Sequence, residues 1–138
     1  VYLDVKHADM RRLVALLDET GMRDSVFVWS PFRAYMRQLH ELAPDIDIKW
    51  NARTTADIDR GREEVGATIV EISTSMLSPE VIHHAHQHGI RVMAHVMSAD
   101  VEAYRTSIEM NADMINLDHP RLFLRVESEP RDIPQDGE

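Results

Sequence analysis

Short runs in which apolar and polar residues alternate recur along the chain, each followed by a longer stretch whose apolar positions repeat every three or four residues. Period two marks strands buried on one face, and the longer period marks amphipathic helices. Six strands are predicted, over residues 1–6, 25–30, 46–51, 67–73, 91–97 and 114–118. Their first residues lie 24, 21, 21, 24 and 23 positions apart, room for one helix and two short loops in every interval. Regular alternation of this kind implies parallel strands joined by crossover helices.

The helices carry their own start and stop signals. Met10, Leu13, Val14, Leu16 and Leu17 trace the apolar face of the first, and Gly21 ends it. Ser30 is expected to cap the second, with Pro31 at its first position and Phe32, Tyr35, Met36 and Leu39 as its buried stripe. Thr54 and Asp57 resemble a capping box opening a helix that runs to Gly66. Ser78 and Pro79 open the next, which Gly89 closes, and Asp100 caps a helix whose inward residues are Val101, Tyr104 and Ile108. A last helix is expected from Pro120 to about Glu129, and residues 130–138, with Pro130, Pro134 and Gly137, read as an unstructured tail.

Two architectures repeat such a β/α unit, an open doubly wound sheet and a closed (β/α)₈ barrel. Central strands of the first are apolar on both faces, whereas barrel strands turn one face to the helices and one to the axis. Alternation is visible here: Leu3 and Val5 oppose Asp4 and Lys6, Ile48 and Trp50 oppose Lys49 and Asn51, Val70 and Ile72 oppose Glu71 and Ser73, and Ile115 and Leu117 oppose Asn116 and Asp118. A TIM-type (β/α)₈ barrel is therefore preferred over the open sheet. Its axis would receive Asp4, Lys6, Lys49, Asn51, Glu71, His95, Asn116 and Asp118. Burying so many polar groups is costly unless each finds a partner or a ligand.

Composition narrows the functional classes. The chain has 138 residues, 43% of them hydrophobic, and no cysteine, which excludes a disulfide framework, a thiolate metal site and a cysteine nucleophile. With 24 acidic against 15 basic side chains the formal charge is −9, a poor match to phosphate backbones, so no nucleic-acid partner is expected. No apolar run reaches the roughly 20 residues that span a bilayer, and a soluble protein is expected, the cytoplasm slightly favoured. Oligomeric state is left open.

The candidate chemistry starts at Tyr2-Leu3-Asp4-Val5-Lys6. Two residues apart on a strand, Asp4 and Lys6 point to the same side and place a carboxylate beside an ammonium at the strand's C-terminal end. The carboxylate suits a hard cation and the lysine an anionic phosphate oxygen, while a simple ion pair is the competing explanation. The stretch 1–30, with its Asp-Val-Lys strand, amphipathic helix, glycine and second strand, resembles the third and fourth β/α units of the glycerophosphodiester phosphodiesterases. Leu77-Ser78-Pro79-Glu80-Val81, with His86 and Gly89, resembles the family's segment before its seventh strand, and Ile115-Asn116-Leu117-Asp118-His119-Pro120 its last strand.

The resemblance implies strands three to eight of a (β/α)₈ barrel that hydrolyses small-molecule phosphodiesters with a divalent metal, magnesium or calcium. It places Asp4 on a metal-binding position, where most members have glutamate and the related sphingomyelinase D group has aspartate, and Lys6 on the accompanying catalytic lysine. Lys49, Glu71 and His95 are candidate substrate-binding residues, with an internal ion pair and a hydrogen-bonded core histidine as the alternatives. The family's His-Arg-Gly, Glu-Asn-Thr and His-Asp motifs do not occur, so residues 1–129 are expected to act as part of a larger barrel and to be inactive alone. A noncatalytic scaffold or small-anion-binding module is the second possibility.

Other residues have simpler explanations. His84 and His88, four apart on a helix, could chelate one ion, but no third ligand is apparent and surface or packing histidines are expected. Trp29 and Trp50 are expected to pack against helices, the eight methionines to fill the core, and Ser30 to serve only as a cap.

Overall fold

The structure, a computed structural model, describes residues 1–129; the expected tail at 130–138 lies outside the described residues. Six strands alternate with six helices: β1 (Tyr2–Asp4), α1 (Met10–Glu19), β2 (Phe27–Trp29), α2 (Arg33–Leu42), β3 (Asp47–Asn51), α3 (Thr55–Val65), β4 (Ile69–Ser73), α4 (Pro79–Gln87), β5 (Arg91–Val96), α5 (Val101–Glu109), β6 (Met114–Leu117) and α6 (Pro120–Ser128). All neighbouring strands are parallel and the sheet order follows the chain, β1 through β6.

That order decides between the two architectures. A doubly wound sheet reverses its strand order partway to place helices on both faces. Here nothing reverses, and right-handed crossovers in sequential order carry every helix to one side, as in a barrel wall. The core confirms it. Val28, Ile48, Trp50, Val70, Ile72, Val92 and Ala94, all on one pleat face, pack with Met10, Leu17, Met36, Leu39, Ile58, Val65, Ile82 and Ala85 from α1 to α4. A second cluster joins Val96, Tyr104 and Val126 under α5 and α6. The fold is a six-stranded part of a TIM-type barrel, and the doubly wound alternative is overturned.

The capping signals act largely as expected. Thr54 Oγ1 accepts from the Asp57 amide and Asp57 returns a carboxylate to the Arg53 amide; Ser78 and Asp100 accept from Val81 and Ala103. Asp9, not anticipated, caps α1 by accepting from the amides of Arg11 and Arg12. Gly66 closes α3 in the left-handed region, at φ 63°. One start differs. α2 begins at Arg33, because the buried Ser30 hydroxyl takes the Phe32 amide in a local turn, and Phe32 stays exposed beside His7 and Tyr35 instead of joining the buried stripe. β2 is also shorter than expected, since residues Arg23–Ser25 form a 3₁₀ turn.

Trp50 packs outward against α3, as expected. A Cβ on Gly61 would lie 2.5 Å from the Trp50 ring, so only glycine allows α3 to approach this closely. Gly61→Ala should lower stability by about 1–2 kcal/mol despite alanine's better helix propensity; urea unfolding of the two proteins measures it, and an unchanged midpoint would show that α3 can shift freely.

Candidate functional site: the inner face of the sheet

Register follows from the ladders. Tyr2 and Asp4 pair with Phe27 and Trp29, Asn51 with Glu71, Glu71 with Met93, Ser73 with His95, and His95 with Asn116. Because side chains alternate, these residues and Lys49 all share the face opposite the helices. The polar set expected at the barrel axis therefore does gather on one surface, except that Lys6 and Asp118 lie just past the ends of their strands.

Glu71 is the hub. Its Oε2 takes the ammonium of Lys49, and its Oε1 accepts from Asn116 Nδ2 at 2.8 Å and from His95 Nδ1 at 2.5 Å. An ionised carboxylate only accepts, so His95 donates from Nδ1, and the tautomer with its proton there has Nε2 as an acceptor. Glu71 and Lys49 are buried, 6% and 2% exposed, whereas the His95 side chain is 46% exposed. Burial pushes the Glu71 carboxyl up, but hydrogen bonds from Lys49, Asn116 and His95, with the charge of Lys49, outweigh it and hold the group below its ordinary 4.5.

Lys49 Nζ lies 5.3 Å from the Tyr2 ring centroid and 4.9 Å from that of Trp29. Lys6 Nζ lies 4.5 Å from the same Trp29 ring and 2.8 Å from Asp4 Oδ1. Trp29 thus joins the exposed Asp4–Lys6 pair to the buried cluster. This corrects the expectation that Trp29 packs against helices: its partner Asp4 fixes it on the inner face. Tyr2, stacked on Phe27 at 4.9 Å, has its hydroxyl pushed up to about 12 by burial and by the charges of Glu71 and Asp4. At the opposite end of the strands Asp47 plays a matching part, accepting from Thr68 Oγ1 at 2.6 Å and pairing with Arg91. A shallow groove of about 330 Å³, lined in part by Pro79, His83, Met110 and Asn111, lies outside between α4 and α5 and touches none of the inner residues.

No protein-family model matches the chain, and no curated protein does. Solved structures do. A glycerophosphodiester phosphodiesterase from Agrobacterium tumefaciens superposes with a TM-score of 0.80 at 28% identity, over 94% of this chain and 56% of its own. The chain is built like a glycerophosphodiester phosphodiesterase. A second such enzyme, from Parabacteroides distasonis, gives 0.72 at 22% identity over 98% of this chain and 53% of its own. A phosphodiesterase from Oleispira antarctica, solved with its product sn-glycerol-3-phosphate, gives 0.70 at 16% identity over 87% and 49%. The chain spans about half the length of these phosphodiesterases.

Removing one member of the buried pair strands the other. Glu71→Gln should therefore cost roughly 3 kcal/mol in urea unfolding, and the double change Lys49→Met with Glu71→Leu less. Acid provides a second readout. The folded carboxyl sits below its unfolded value, so its contribution is complete above about 4.5 and lost as pH falls through the lowered folded value. The fall in stability on acidification should be shallower in Glu71→Gln than in the native chain, and equal slopes would contradict the role given to Glu71.

Proposed function

We propose that the inner face holds the phosphoryl group of a glycerophosphodiester, and that this β/α assembly acts as the substrate side of a phosphoric diester hydrolase. The observation that carries it is the convergence of two ammonium groups, Lys6 and Lys49, on one tryptophan ring of the inner face. Support comes also from the glycerophosphodiester phosphodiesterases that share the fold, and from the glycerol phosphate bound by the Oleispira phosphodiesterase.

In the reaction, water attacks phosphorus in line and the bond to the alcohol oxygen breaks, giving a phosphomonoester and a free alcohol. Negative charge on the non-bridging oxygens has to be matched by fixed positive groups. Lys6 serves here: Asp4 takes one of its three N–H donors, and two remain for phosphoryl oxygens. Its ammonium sits over Trp29, which restricts where the charge is presented. Lys49, covered by Glu71, Tyr2 and Trp29, acts from behind as a fixed charge and a positioning group. Glu71 orients His95, whose free Nε2 meets a hydroxyl of the substrate.

The family resemblance also implies magnesium or calcium, with Asp4 as a donor. A hard cation takes six or more oxygen ligands. Asp4 is paired with Lys6, and both oxygens of Glu71 are engaged. Among the described residues, no group of three histidine or acidic ligands converges on the inner face. These residues do not by themselves fit a tight cation site, and no step is routed through one. The face likewise carries one histidine among its strand residues, where paired general acid and base need two proton carriers.

The 138-residue chain should therefore bind sn-glycerol-3-phosphate without hydrolysing glycerophosphocholine. Calorimetric titration should show Lys6→Ala weakening that binding about tenfold, the equivalent of one charge-assisted hydrogen bond, with Arg11→Ala, on the exposed side of α1, unchanged. Equal affinity in Lys6→Ala and the native chain would refute the phosphoryl site, and choline release by the chain alone would refute its dependence on other proton carriers.

A further inference from the structure

Three side chains outside the inner face form a cluster that phosphodiester chemistry does not use. His84 lies on α4 and His88 caps its C-terminus. Their spacing of four puts both imidazoles on one helix face. That face meets α3, which contributes Asp59. One donor atom from each of the three lies within 4.8 Å of the others. His84 Nε2 stands 2.9 Å and His88 Nε2 3.9 Å from the same carboxylate oxygen, Asp59 Oδ1.

We propose that Asp59, His84 and His88 bind a transition-metal ion, zinc by their chemistry, and so tie α3 to α4. The carboxylate oxygen holds one imidazole by a hydrogen bond, while 3.9 Å is too long for a second. A cation among the three engages all of them, after rotations that bring each donor to the roughly 2.0–2.2 Å of a zinc bond. The ring planes of His84 and His88 lie at 71°, so the two nitrogens converge without the rings stacking. Two imidazoles and one carboxylate suit zinc, whereas magnesium and calcium require oxygen cages. The negative end of the α4 dipole, beside His88, favours a cation. The side chains are 26%, 32% and 38% exposed for His84, His88 and Asp59, held by packing yet open to an ion from solvent. Three protein donors leave a fourth position for water.

The neighbouring histidines give internal controls. His86 Nε2 is 2.8 Å from Asp113, whose same oxygen accepts from the Val92 amide, and His83 pairs with Gln87. Neither belongs to the three-donor cluster.

The test is titration of the metal-free 138-residue chain with zinc chloride in a non-coordinating buffer, by calorimetry and by the shift in thermal midpoint. One zinc per chain is expected, with a raised midpoint. Asp59→Asn, which keeps the shape and a hydrogen bond to His84, and His88→Ala should each weaken binding at least about tenfold, as loss of a ligand requires. His83→Ala and His86→Ala should bind as the native chain does. Circular dichroism shows whether each variant keeps its fold, and Asp59→Asn keeps the question answerable if His88→Ala does not. Absence of one-to-one binding, native affinity in Asp59→Asn, or loss of binding in His86→Ala would each overturn the site.

Discussion

A single buried carboxylate, that of Glu71, is shared by four consecutive strands: Lys49 from β3, Glu71 itself on β4, His95 from β5 and Asn116 from β6. The sheet buries Lys49 and Glu71 on its polar face, and an unmatched charge there would cost several kcal/mol. The network removes that cost only in one register, since slipping any of these strands by one residue would turn its polar member toward the helices. Asp47, with Thr68 and Arg91, performs a smaller version at the other end of the strands. The outer face is filled by Val, Ile and Ala, with Trp50 against α3, and carries, among the described residues, no charged group to match.

The same interaction shapes what the inner face offers a ligand. Because Glu71 neutralises Lys49, the buried layer is closed, and the groups left accessible are Asp4, Lys6 and His95 on its rim. His95 is oriented by the carboxylate it bonds, and Lys6 by the indole that also covers Lys49. The exposed groups thus rest on a hydrogen-bonded polar layer, the kind of support that a proposed phosphoryl site needs. The rim exposes one ammonium, that of Lys6, beside the Asp4 carboxylate, and has too few oxygen donors for a hard cation.

Much of this is legible in the sequence, for reasons that differ by element. Strand β3 announces its faces because polar and apolar residues alternate strictly, β4 and β6 do so from Val70 and Ile115 onward, and the ladders keep those faces together. β2 does not: Val26, Phe27, Val28 and Trp29 are all apolar, so nothing local tells which side Trp29 occupies, and only its pairing with Asp4 does. Ser30 does not start α2 because a serine hydroxyl can close a turn as readily as cap a helix. The proximity of Asp59 to His84 and His88 is not legible locally, since it arises from helix packing across 25 positions of sequence. Spacing within one element is legible; convergence between elements needs the fold.

The central claim, that a polar layer organised by Glu71 presents Lys6 to a phosphoryl group, is most directly tested by a crystal structure of the chain with sn-glycerol-3-phosphate. The phosphate is expected on the inner face, hydrogen-bonded to Lys6 Nζ beside Trp29, with Lys49, His95 and Asn116 still bound to Glu71. A phosphate seated on the outer helices, or a Glu71 that has released Lys49 to reach it, would contradict that claim.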